Sequence, residues 1–174
     1  IKHHAISLTH EWRFGEGDEL NTSFYYADIL RDWWRQSSTT TDTQCGNGFR
    51  DARFAGLAVD PDTCNSTQGR LRAFYTRGVE PRLTLHHGLF GSESTFEAGL
   101  RYHTEVQERI QLNGSSPNAR SGTIAEDNRR ELDAVAIFVS NSFLWGDFAL
   151  IPSLRHERID FYRLNKLTNQ SARS

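Results

Sequence analysis

Few residues in this chain carry reactive chemistry, and their spacing limits what they can do. Histidines occur as the doublets His3-His4 and His86-His87. Adjacent residues of a strand point to opposite faces, so a doublet in an extended segment does not clamp one ion. Asp60-Pro61-Asp62 begins like a calcium loop, but Cys64 takes the third ligand position and no Gly follows at the sixth, which leaves turn chemistry. No metal site is expected. Cys45 and Cys64 share one polar stretch rich in Gly, Asp, Thr and Asn and belong to no Cys-x-x-Cys pair. A disulfide closing a single loop is expected, the alternative being two free thiols in a reducing compartment. The chain has no Gly-x-Ser-x-Gly elbow, His-Glu-x-x-His pair or phosphate-cradling glycine pattern, and Gly15-Glu16-Gly17 reads as a turn. No catalytic residue and no intrinsic cofactor are therefore expected, although groups scattered over strand ends would leave no local motif.

The elements that position these residues are strands. From His4 to Phe14 the even positions Ile6, Leu8, His10, Trp12 and Phe14 alternate with Ala5, Ser7, Thr9, Glu11 and Arg13. That is period two. After Gly15-Glu16-Gly17-Asp18 a second run places Leu20, Thr22, Phe24, Tyr26 and Leu30 on one side. Further on, Val79, Pro81, Leu83 and Leu85 precede a turn at 88–94, and Phe96, Ala98, Leu100, Tyr102, Thr104 and Val106 return opposite Glu97, Gly99, Arg101, His103, Glu105 and Gln107. Pro81 cannot donate to a ladder and is expected at an edge, bulge or strand end. A third hairpin turns at Trp145-Gly146-Asp147 and returns through Phe148, Leu150, Pro152 and Leu154; its first strand, Ala134–Val139, is apolar at every position, so its faces stay unassigned.

The sum is an all-β, antiparallel up-and-down meander of about six long strands, with hairpins at about 4–34, 71–110 and 132–162. Short turns at one end oppose long polar loops at about 36–69 and 113–130, and Gly99-Leu100-Arg101-Tyr102-His103 is echoed weakly by Ser153-Leu154-Arg155-His156-Glu157. Short turns on one side and long loops on the other is the pattern of an outer-membrane barrel.

Bulk properties narrow the classes. A net charge of -2 with mixed signs excludes the basic stripe of a nucleic-acid binder. The longest apolar run, Ala134–Val139, is far shorter than the roughly 20 residues of a spanning helix. A mean hydropathy of -0.62 suits a soluble protein or a barrel, whose alternation hides the apolar face from any average. Dense charge on the polar faces, with Arg82, Arg101 and Arg155 beside Glu80, Glu97 and Glu157, suits a wet lumen. Aromatic residues at both strand ends, Trp12, Phe14, Phe90, Trp145 and Phe148 at one and Trp33 and Trp34 at the other, suit interfacial girdles. Leu20 to Trp34 would rise about 35 Å along a tilted barrel, beyond a ~25 Å apolar band. Ile6, Leu8, Leu20, Phe24, Leu83, Leu85, Phe96, Leu100, Phe148 and Leu154 are then the expected lipid-facing positions. Six strands do not close such a barrel, the chain contains no Met, and its last residues are polar, so a piece of a longer or processed protein is expected.

The runs Ser23-Phe24-Tyr25-Tyr26-Ala27-Asp28 to Arg31-Asp32-Trp33, Arg77-Gly78-Val79-Glu80-Pro81-Arg82-Leu83, Gly99-Leu100-Arg101-Tyr102-His103 and Leu154-Arg155-His156-Glu157-Arg158 resemble the barrel of TonB-dependent outer-membrane receptors, closest to the ferric-citrate type. The resemblance covers nearly every expected strand and not the long loops. It implies a transmembrane barrel of about 22 strands around an N-terminal plug that is not in this chain. It also implies the outer membrane of a Gram-negative bacterium, contact with its lipid, TonB acting through the plug, and uptake of a ferric siderophore or ferric citrate. Such an anionic ligand needs converging cations, for which Arg70, Arg72 and Arg109 near the loop-side strand ends and Arg50 and Arg53 on the first long loop are the candidates. The competing readings are a passive porin-like channel and a soluble all-β binding module.

Overall fold

The structure, a computed structural model, describes residues 1–36, 46–60, 67–116 and 118–174. Chain order runs β1 (Lys2–Phe14), β2 (Asp18–Gln36), α1 (Asn47–Phe54), β3 (Thr67–Leu89), β4 (Ser92–Gly114), β5 (Thr123–Trp145), β6 (Phe148–Leu150), β7 (Ser153–Asn165) and β8 (Gln170–Arg173). The strands form one antiparallel sheet in the order β1-β2-β3-β4-β5-β7-β8, with β6 also on β5. Trp145 pairs with Phe148 and Ser140 with Ser153 in the same register, so β6 and β7 are one strand interrupted at Ile151-Pro152. The Asn141 amide donates to the Pro152 carbonyl at 3.1 Å across that interruption.

At one end the chain reverses in a few residues. Phe90 (φ 56°) and Gly91 (φ 70°) are both left-handed, the geometry of a type I′ hairpin turn. An aromatic residue in that region is strained. Here the ring lies 6.2 Å from that of Phe143, and the Phe90 carbonyl accepts from Trp145 Nε1 at 3.2 Å.

Register divides the sheet into two unlike faces. One row of paired residues reads Trp12, Leu20, Leu83, Ala98, Val139, Leu154 across six strands, and all ten positions expected to face lipid lie on this face. The opposite face carries the row Asn21, Arg82, Gly99, Phe138, Arg155. Val135, Ile137 and Val139 therefore join the apolar face, and Ala134, Ala136 and Phe138 the polar one. Nothing covers the apolar face: among the described residues Ala136 is the sole buried hydrophobic side chain, while Leu8 is 65% and Leu154 71% exposed. No helix is long and apolar enough to cross a membrane, which says nothing about strands.

Three cross-strand pairs join an aromatic residue to a glycine: Tyr25 with Gly78, Trp34 with Gly69, and Phe138 with Gly99. A Cβ on Gly99 would fall 2.2 Å from Phe138 Cε1, and one on Gly78 the same distance from the Tyr25 hydroxyl. Each aromatic side chain occupies the space of the missing side chain, shielding backbone that glycine would otherwise expose.

Several expectations change. Residues 123–130, read as part of a polar loop at 113–130, belong to β5, and the connection shrinks to 115–122. From Glu126 on these residues are polar at both parities, which removes the alternation signal although their backbone pairs with β4. The polar end of the chain contributes β8, paired to β7 through Leu164 and Ser171. The stretch after β2 contains α1, which has no buried residue. Trp33 lies on the polar face, so it is not part of an outward girdle. Pro81 stands in the interior of β3 between two neighbours; its pairing with β2 is kept, and the ladder to β4 is broken between Val79–Tyr102 and Arg82–Gly99.

Gly99→Val in the full-length protein should therefore cost about 1–3 kcal/mol through overpacking. Denaturant unfolding of the folded barrel measures it, and adding Phe138→Ala should return most of the loss. A neutral Gly99→Val would mean that the ring does not occupy this site.

Candidate functional site

Toward the long connections, charge enters the outward face of β3 and β5 at one row of the register, Tyr26, Arg77, Thr104, Asp133, and enters that of β7 sooner, at His156 and Arg158. Beyond that row β2–β5 continue toward the long connections, and their outward face mixes charged residues such as Asp28, Asp32, Glu108 and Glu131 with apolar ones such as Leu30, Leu71, Val106 and Ile110. On the polar face of this extension, Arg31 of β2, Arg72 of β3 and Arg109 of β4 pair directly. The next row toward the loops holds Trp33, Arg70, Gln111 and Glu126, and the row before it holds Phe74, Gln107, Arg130 and Arg163. Paired strands lie about 4.8 Å apart, and like charges directly opposite oppose folding.

Little neutralises this cluster. Glu126 reaches Arg109 at 3.4 Å and Arg72 at 3.8 Å. The Arg72 side chain is only 5% exposed, and its Nη1 donates to the carbonyls of Leu71 (3.0 Å) and Ile110 (2.9 Å). Burial, and then the charge of Arg109, push the Arg72 pKa below the ordinary guanidinium value, with Glu126 opposing them. Arg130 is lowered in the same way by burial, Arg109 and Arg163. The Nε atoms of Arg31 and Arg130 are buried without a hydrogen-bond partner. Trp33 lies between Arg31 and Arg70, whose guanidinium carbons stand 5.8 and 5.9 Å from its ring centre. Converging forks of this kind suit a ligand bearing several carboxylates or comparable oxyanions.

Register thus brings Arg70, Arg72 and Arg109 together. Arg50 and Arg53 belong to α1, outside the strand register, and Arg50 is tied to its neighbour Asp51 at 3.0 Å. Cys45 and Cys64 lie outside the described residues. Sequence reading missed Arg31, Arg130, Arg163, Glu126 and Trp33. Extending the odd-parity pattern of β2 past Ile29 points to Arg31 and Trp33, whereas Glu126 and Arg130 sit in the stretch taken for a loop.

Deeper in the polar face the arginines differ in kind. Arg101 pairs with Glu80 at 2.8 Å and Arg155 pairs with Glu157, while Arg82 lies 5.5 Å over the Phe138 ring in place of a carboxylate. Glu80, Arg82, Arg101, Phe138 and Arg155, with Glu19, line a polar recess of about 640 Å³. Tyr25 Oη and His103 Nδ1 meet at 2.8 Å beside it.

A meander of long strands with one uncovered apolar face and one charged face is a segment of barrel wall. Residues 2–174 match the family model "TonB dependent receptor-like, beta-barrel", and the chain belongs to that family, one of receptors. Among solved structures it is similar to the ferric citrate transporter FecA in its unliganded form, with a TM-score of 0.76 and 18% identity over 98% of this chain and 22% of that one. The chain thus spans under a quarter of that transporter's length. No curated protein sequence matches it.

Glu126 competes with any anion for Arg72 and Arg109. In the full-length receptor, Glu126→Gln should tighten binding of a multivalent carboxylate by about 3–10-fold, or roughly 0.7–1.4 kcal/mol, because it removes a competing charge and leaves the guanidinium donors in place. Calorimetry reads the effect, and weaker binding would show that Glu126 orders the arginines and does not compete for them.

Proposed function

We propose that this chain forms part of the wall and mouth of an outer-membrane receptor that takes up an anionic ferric chelate, ferric citrate or another siderophore, in a TonB-dependent manner. The observation that carries the reading is the row Arg31, Arg72, Arg109 on the lumen side, beyond the row where charge enters the outward face. Like charges are held in register there with one carboxylate near them, so an anion from outside completes the site.

The membrane setting is supported by the outward face. Phe90, Phe143, Trp145 and Phe148 form an aromatic ladder at the short-turn end, with centroids 5.7–6.2 Å apart. Tyr26, Tyr75 and Tyr102 occupy the other margin. From Trp145 to Asp133 the strand rises about 30 Å at a tilt near ~40°, close to the thickness of an apolar band with its girdles. The short turns then face the periplasm and the arginine rows the exterior. Energised release of the ligand belongs to the whole receptor, through a plug coupled to TonB.

Two measurements bear on this. Leu100→Arg, near the middle of the outward face, should destabilise the assembled barrel by ~2–4 kcal/mol, read as loss of heat-resistant folded protein in outer membranes. Normal assembly would refute a lipid-facing Leu100. Replacing Arg70, Arg72 and Arg109 together by Ala should weaken ferric citrate binding more than about tenfold while assembly is kept. Wild-type binding and iron uptake by that variant would reduce these arginines to solvated charges.

A further inference from the structure

The row where charge enters the outward face of β3 and β5 holds a cation. Arg77 stands in register between Tyr26 and Thr104, with Tyr75 two residues along its own strand. Its Nε donates to Thr104 Oγ1 at 3.2 Å, and its other donors meet no protein acceptor among the described residues. The carboxylates around it have partners of their own. Asp28 contacts His4 at 2.8 Å, and Glu108 and Glu131 both hold Arg129. Asp133 lies two strands away in the same row, about 10 Å off by strand spacing. Tyr26, Tyr75, Arg77, Thr104, Val106 and Arg129 line a groove of about 260 Å³.

We infer that this groove binds the phosphate headgroup of a membrane lipid, with Arg77 as its anchor. The inference rests on the membrane placement proposed above. On a lipid-facing surface, the level where apolar side chains give way to charge is the level of the headgroups, and tyrosines mark the same level. A planar fork with free donors gains two parallel charge-assisted hydrogen bonds from a phosphate and none from an acyl chain. The adjacent apolar rows seat the lipid's tails, which sets the ligand apart from free phosphate.

The test uses the full-length receptor, purified in a neutral detergent and titrated with phosphatidic acid, phosphatidylcholine or inorganic phosphate while bound lipid is counted by native mass spectrometry. Phosphatidic acid should be retained at least about tenfold more strongly than phosphatidylcholine, and millimolar inorganic phosphate should not displace it. Arg77→Gln should abolish the preference, and Arg77→Lys, which keeps the charge and loses the fork, should retain part of it. If Arg77→Gln does not assemble, the Lys variant decides, and full retention by it overturns the anchoring role. Equal retention of both lipids by the parent, or an unchanged preference in Arg77→Gln, shows that Arg77 only reaches toward water. Ready displacement by inorganic phosphate overturns the lipid as ligand. A receptor absent from the outer-membrane fraction would fail the placement itself, whereas a correctly placed receptor without the preference fails this inference alone.

Discussion

Backbone pairing constrains everything else in this chain. A strand that faces hydrocarbon has no water for its amides and carbonyls, so each must find its neighbour in the sheet. The unbroken antiparallel order from β1 to β8 meets that demand, and once the ladder is set the side chains have no freedom of face. A slip of one residue would move Leu83 and Leu100 to the charged face and Arg82 and Arg101 to the apolar one. The break at Pro81 tests the rule. There the ladder to β4 lapses over two positions, and at the same level the Glu80–Arg101 ion pair joins the two strands side chain to side chain. A charged staple on the wet face takes over where the backbone lacks a donor.

How far the fold was legible follows from where one face is apolar. Between the aromatic margins, alternation identifies strand, face and partner, and the positions expected to face lipid all share a side. Outside the margins charged and apolar residues mix on the outward face and the signal fades. Thr123-Ile124-Ala125-Glu126-Asp127-Asn128-Arg129-Arg130-Glu131 has the composition of a loop, yet it is strand, because β4 beside it already exposes a ladder that must be paired. Gln170–Arg173 is strand for the same reason. Trp33 shows the converse error: an aromatic residue at the right height suggests a girdle, and only parity reveals that it faces the arginines. The Ala134–Val139 run needed its neighbour, since the glycine at 99 leaves room for Phe138 on the polar side.

The site was half legible for a related reason. Arg70, Arg72 and Arg109 fall near strand ends that the alternation located, so their proximity follows once register is known. Arg31 was hidden as one charge among the mixed residues of β2, and Arg130 and Glu126 lay in the segment mistaken for a loop. No spacing along a single strand announces a row that runs across four.

Within one face the arginines then divide by what opposes them. At the level of the apolar band Arg101 and Arg155 have Glu80 and Glu157, and Arg82 has the ring of Phe138, so the wall there is self-compensated. Above the band the same residue type is stacked in register against its own kind, two Nε atoms are buried without acceptors, and one glutamate serves two guanidinia. Local rules of sheet pairing are obeyed below and violated above, and a conflict confined to one region is where function is sought. The conflict is sustained because β3, β4 and β5 each run 23 residues and carry the arginines on paired strands rather than on loops. A loop would relax by swinging the charges apart, whereas a strand fixed by its ladder holds them together.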